Sequence, residues 1–544
     1  MGRTIRICNL AVAAVLLGTP SLAAAKTEDA ISQYAAARLA EIGNREGEAL
    51  KGYIKLYRDA PDSAVLTDRI FDSAIRTGDM AAALRAVRAQ ELNGQVSSEA
   101  PLLLFADAFH KRNWSMATLA ADELSARGNL GFMAPILRSW VNVAQGTPHD
   151  LPIEDLNADP IFAYYTTDQR IYFELNAGEY SKAKQSLRRL SGQGGDYTRD
   201  ALLRAAPVIE ANSDGEFADA LIETAMGIDR VAFLAVSKKG NPKTKIAPED
   251  GLAALHTRIA SALLEQKVNE PALVLGRLAN WYSPDSAPAK LVLARALIAQ
   301  GMTGSASNLI ETISYSSPYW PQATAARVAG VKPEAAVVKA RDAAKMWPNS
   351  PSLLLLYSQA LQAAGNQSLA IQIYRDIAAE ADKNGSTSQQ RAHYRLSLAI
   401  ALDNAGDWDG ARRELNAAIT LDSESPATLN YLGYSLLERN ENLPLAVTLI
   451  TKAFTSNPDS VAITDSMGWA QYKSGNYAQA VTFLERAAKS SGNDVTINEH
   501  LGDAYWQAGR LRDARYAWRV ASHAAEGDTA ARLVDKIEIG LTTR

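Results

Sequence analysis

Few residues in this chain of 544 are spaced for covalent chemistry. There is no G-x-x-x-x-G-K-[ST] loop to cradle phosphates with backbone N–H groups. Gly192, Gly194 and Gly195 follow a predicted helix and read as a loop rather than a dinucleotide-binding turn. No G-x-S-x-G motif presents a nucleophile on a strand-to-helix turn. The six histidines are scattered. Zinc hydrolases need two histidines one helical turn apart, as in H-E-x-x-H, whereas Glu499-His500 has the reverse order and one histidine. Asp403, Asp407 and Asp409-Gly410 resemble part of a calcium loop but lack its spacing and closing glutamate. They read as turn residues. These readings predict no catalytic residue, no metal ligand and no cofactor, and so point away from an enzyme. An enzyme built on a helical-repeat body would need a convergent polar site in residues 26–240, and none stands out there.

The elements that must position the side chains are set by a period. Gly468 and Gly502 are 34 residues apart, as are Ala480 and Ala514, Leu484 and Trp518, Ala399 and Gly433. Upstream, Ala260 and Ala294, Ala272 and Ala306, and Pro284 and Pro318 keep the same interval. A 34-residue unit of two helices is the tetratricopeptide pattern. In residues 461–494 the first helix carries Gly468, small enough for a close approach. Gly475-Asn476 turns the chain. Ala480, Leu484 and Ala487 form one face of the second helix. The next unit repeats this with Gly502, Gly509, Ala514 and Trp518. The preceding one has Gly433, Ala446 and Ile450, with Pro444 at the start of its second helix.

The chain therefore resembles the tetratricopeptide repeat family, strongly over 250–525 and more loosely over 26–240, where the intervals drift. The expected fold is all-α, an α-solenoid of roughly ten to twelve antiparallel helix pairs on the period rule. The expected organisation is a signal peptide at 1–25, divergent repeats at 26–240, a regular array at 250–525 and a polar capping helix within 526–544. The runs 190–197 and 237–250 read as loops or breaks.

In such a stack the first helices line the concave side. Counting from the small residue of each first helix, the groove should receive Asn430, Tyr434 and Leu437, then Asp465, Trp469 and Tyr472, then Glu499, Asp503 and Trp506. Tyr431, Tyr505 and Trp518 should lie in the core. The groove set is aromatic and acidic, without lysine or arginine. It suits a protein or peptide with apolar side chains and some positive charge better than a free carboxylate. Packing of these aromatics between neighbouring helices is an equal alternative. The strings Asn430-Tyr431-Leu432-Gly433-Tyr434, Asp465-Ser466-Met467-Gly468-Trp469 and His500-Leu501-Gly502-Asp503-Ala504-Tyr505-Trp506 resemble the last repeats of exported or lipid-anchored proteobacterial tetratricopeptide proteins. One branch of that group delivers cell-wall hydrolases to a carboxyl-terminal processing protease, which implies an adaptor role and an envelope-associated protease complex. A part in polysaccharide export or secretion is the alternative.

The N-terminus fits export. Arg3 and Arg6 precede an apolar run, Ile7 to Leu17, and Ala23-Ala24-Ala25 offers a cleavage site before Lys26. The single cysteine, Cys8, lies within this segment and lacks the flanking residues of a lipidation site, so the mature chain should have no disulfide. Losing Arg3 and Arg6 takes the formal charge from −4 to −6, which gives no electrostatic reason to bind nucleic acid. No later stretch is long and apolar enough to cross a membrane. The expected location is the periplasm.

Overall fold

The computed structural model describes residues 22–94, 98–126, 130–147, 160–192, 195–212, 214–236, 243–383 and 386–541. Most of the proposed signal peptide, with Cys8, lies outside the described residues, and the first helix, Leu22–Ile42, begins just before the proposed cleavage point. Every regular element among the described residues is helical, and consecutive helices pack as antiparallel pairs. The fold is all-α, as the period implies.

The chain forms two compact units, 1–327 and 328–544. Of the stretch 237–250, residues 237–242 lie outside the described residues; the rest lies inside the first unit and does not end it. The reason is a buried side chain: Asn176 accepts from the backbone N–H of Ile246 at 2.8 Å and donates to its carbonyl at 2.9 Å. This ties the chain before helix Pro248–Glu265 to helix Pro160–Asn176. The same helix approaches Trp140 through Gly251, where a Cβ would stand 1.9 Å from the indole. Trp140 is fully buried and its N–H donates to Gln169 at 2.8 Å.

In the second unit the pattern is regular for physical reasons that can be named. First helices Pro426–Glu438, Val461–Lys473 and Val495–Gln507 start at Ser425, Ser460 and Asp494. Each of these side chains accepts from the N–H three residues on, supplying a partner to an otherwise orphaned donor. Helix Val461–Lys473 is followed by Gly475 at φ +80°, a left-handed conformation costly for a residue with a Cβ. Gly433, Gly468 and Gly502 face the second helix of their own pairs. A Cβ there would lie 2.7 Å from Ile450, 2.6 Å from Leu484 and 2.3 Å from Trp518, respectively. Ala480, Leu484 and Ala487 are buried on one face of helix Tyr477–Ser491, as are Ala514, Trp518 and Ala521 of helix Leu511–Ser522. Pro444 occupies the first turn of helix Leu443–Ser456. Helix Gly527–Ile539 follows, stopped by Gly540 at φ +80°.

Candidate partner-binding surfaces

The residues expected in a groove fall into two clusters on the first helices of the last three pairs. Asn430 and Tyr434 lie half-buried one turn apart on helix Pro426–Glu438. Leu437, expected beside them, is 1% exposed and belongs to the core. Tyr434 faces His500, ring centroids 6.3 Å apart. Burial, with the charges of Glu438, Asp465 and Glu499, pushes its hydroxyl above the usual range.

Trp469 is the centre of the first cluster. Its ring lies parallel to Tyr472 at 4.5 Å and to His500 at 4.0 Å. Its N–H donates to Glu438 at 2.6 Å, and the Lys473 ammonium sits 5.2 Å from the ring. With 8% of its surface exposed, Trp469 backs the surface more than it presents it. Tyr472 is half-buried, its hydroxyl pushed up to about 12 by burial. Asp465 is buried, 3.1 Å from Nδ1 of His500. His500 links two neighbouring pairs in this way, a role that its sequence position did not suggest.

The second cluster departs from expectation. Glu499 and Asp503 are not open carboxylates in a surface free of cations. Arg532 donates to both oxygens of Glu499 at 2.9 Å. Lys536 bridges Glu499 at 2.7 Å and Asp503 at 2.7 Å, and Asp503 also accepts from the Trp518 indole at 2.9 Å. The physical reason is that carboxylates buried this far need counter-charges, and helix Gly527–Ile539 brings them. Burial alone would push Glu499 up, but the hydrogen bonds and charges of Arg532 and Lys536 bring it down to about 2. For Asp503 burial wins over Lys536 and the carboxyl lies above its ordinary value. Trp506 is half-buried and covered by Gly540, where a Cβ would come within 2.1 Å of the ring.

Tyr505 and Trp518 are core residues, as expected, and Tyr431 is half-buried with its hydroxyl on Asp403 at 3.0 Å. Asp403 therefore holds Tyr431 and Arg439, and Asp407 caps helix Trp408–Leu421.

The first unit holds a cavity of about 400 Å³ that sequence reasoning missed. Leu291, Val292 and Ile310 form its apolar wall. At its polar end, Arg258 pairs with Asp168 at 2.5 Å, both side chains 6% exposed, and stacks 4.2 Å from the Tyr197 ring. Nothing local announces this site, since Asp168 and Arg258 are 90 residues apart.

Among the described residues, no group of three or more His, Cys, Asp or Glu side chains is placed to hold a metal ion. No described helix is long and apolar enough to cross a membrane.

Residues 396–461 and 466–528, both within the second unit, match the family model for the tetratricopeptide repeat. An 80-residue stretch, 15% of this chain, is 39% identical to the TPR repeat-containing protein PA4667 of Pseudomonas aeruginosa. The match spans 14% of that relative's length. Among solved structures, the Cut9–Hcn1 hetero-tetramer of the APC/C aligns over 92% of this chain and 95% of its own, at 16% identity and a TM-score of 0.38. Yeast Tom70 aligns over 95% and 96%, at 12% identity and a TM-score of 0.36.

Proposed function

We propose that this chain is an exported binding scaffold that holds a protein or peptide partner against the first helices of its last repeats. The observation that carries the reading is the recurrence of half-buried aromatics on successive first helices, Tyr434, Tyr472 and Trp506, within tetratricopeptide repeats. Such rings offer rigid apolar edges at small entropic cost and attract cations through their faces. A recombinant Tyr472→Ala/Trp506→Ala chain with an unchanged melting curve should lose cross-linked partners that wild type recovers from the envelope fraction. Equal recovery would remove this surface from the account.

The finer reading is a periplasmic adaptor that presents substrates to an envelope carboxyl-terminal processing protease. It is motivated by the Asn430–Tyr434, Asp465–Trp469 and His500–Trp506 strings and by the proposed leader at 1–25. Sequencing the N-terminus of the mature protein should give Lys26 first. A chain that keeps Met1 and fractionates with the cytoplasm contradicts the export reading. A partner whose cleavage by the protease is not accelerated by this chain contradicts the adaptor reading and leaves the polymer-export alternative, in which deletion reduces a secreted polysaccharide.

A further inference from the structure

The last pair shows what its acidic recess can take, because the chain fills it with its own helix. Helix Gly527–Ile539 has one fully buried side chain, Leu533, with Ile537 packed partly against the core. Inner second helices bury an apolar row; helix Leu511–Ser522 buries Ala514, Ala517, Trp518 and Ala521. The terminal helix is therefore held to an unusual degree by charge. Arg532 and Lys536, four residues apart and so on one face, meet Glu499 and Asp503, while Arg515 donates to the Ile537 carbonyl at 2.9 Å. Gly540 lets the chain lie on Trp506. Four residues separate this helix from the one before it, 523–526.

The register explains why the recess exists. Arg532 lies 33 residues beyond Glu499 and Lys536 33 beyond Asp503, close to the repeat period, while Lys536 also reaches Glu499, 37 residues back. Helix Gly527–Ile539 thus stands about where a next first helix of the repeat would fall.

We propose that the last helix pair is a receptor for a basic amphipathic helix of the partner protein, and that the chain's own helix Gly527–Ile539 is its displaceable occupant. The identification of the competitor as a partner protein rests on the binding-scaffold reading. The recognition pattern is read from the occupant. It has two cations four residues apart, an apolar residue directly after each, as Leu533 and Ile537 are here, and a small residue four positions past the second cation, to lie on Trp506. A helix with this pattern from another chain meets the same carboxylates and the same indole. Its arrival frees the terminal helix, which otherwise keeps Trp506 covered in the absence of a partner.

The test uses the full-length protein and a synthetic peptide of residues 526–541 as the probe. Wild type should bind the peptide weakly, because the cis helix competes. Arg532→Glu/Lys536→Glu should bind it roughly tenfold tighter or more, since its own helix is repelled by Glu499 and Asp503. Adding Glu499→Lys/Asp503→Lys should return binding to the wild-type level or below, because the reversed charges pair again in cis. A folded Arg532→Glu/Lys536→Glu chain, with wild-type helix content, that binds no better overturns the proposal. If that variant does not fold, hydrogen exchange on the wild type decides. Salt of about 1 M, where the screening length is about 3 Å, should speed exchange at 527–540 and leave 461–491 unchanged. A uniform response overturns the proposal. No partner enters either measurement. Peptide binding that follows the charges, alongside partner recovery insensitive to Tyr472→Ala/Trp506→Ala, would remove the groove reading alone.

Discussion

Glu499 shows how a single carboxylate can be read correctly in position and wrongly in state. Its place on the first helix of the last pair follows from counting around Gly502. Its neutralisation does not, because Arg532 and Lys536 reach it from outside the repeat. The signal that could have found them is their spacing of four, 33 residues downstream, near where the next first helix would fall. A pH dependence follows. The folded carboxyl titrates near 2, against an ordinary 4.5. Its contribution is therefore full above pH 4.5 and is lost as the pH falls from there through 2, and is on the order of 3 kcal/mol. Asp503, displaced upward, offsets part of it. Glu499→Gln should lower the stability of the second unit by about 1–3 kcal/mol at pH 7 and by little near pH 2, as measured by urea unfolding at both values. The close approach at Gly502 gives a second expectation. Gly502→Ala places a Cβ 2.3 Å from Trp518, and overpacking of this kind costs roughly 1–3 kcal/mol. A melting temperature equal to wild type would mean that the indole moves aside freely.

Helix boundaries were legible where sequence chemistry is local. Ser425, Ser460 and Asp494 announce first helices because a short oxygen-bearing side chain can satisfy an N–H three residues on, with no help from tertiary structure. Gly475 announces the turn for a similar reason. The pair at 426–456 bends its turn with Asn440 and Asn442 at positive φ instead, which matches its extra loop residue. Packing against distant helices was not legible. Leu437 counts onto the groove side of its helix, yet it is buried within an apolar cluster of the second unit that spans several pairs. In the first unit the Asp168–Arg258 pair at the polar end of the cavity joins helices 90 residues apart that no period links. At this scale Ser460→Ala should cost about 1 kcal/mol, read as lower denaturation midpoint with an unchanged slope. Gly475→Ala should cost about 1–2 kcal/mol through its left-handed φ. A larger loss for Ser460→Ala than for Gly475→Ala would contradict this ordering.

The division at 327 predicts that the two units open separately, since each has its own core. The apolar cluster of the first unit runs from Ala37 to Ala323, and those of the second lie within 336–533. Each unit carries its own acid-sensitive group. In the first, His256 is fully buried, with Nδ1 2.8 Å from the Leu252 carbonyl. Burial holds the imidazole down to about 4, against the usual 6.5, with the carbonyl opposing. The unfolded chain thus binds a proton between pH 6.5 and 4 that the folded one refuses. The stabilisation is full above 6.5 and is lost as the pH falls through 4, on the order of 3 kcal/mol. Asp72, pushed up to about 6 by burial and nearby carboxylates, works the other way in the same window. The informative quantity is therefore the difference between wild type and His256→Leu, in which Asp72 cancels. Hydrogen exchange at pH 7 and pH 4.5, corrected for intrinsic rates, should show protection across 248–311 falling less in the variant than in wild type. Residues 461–522 should respond alike in both, because the histidine belongs to another core and distant sites add independently. A variant-dependent change in both units would mean that they open as one, and the boundary at 327 would then have no energetic meaning.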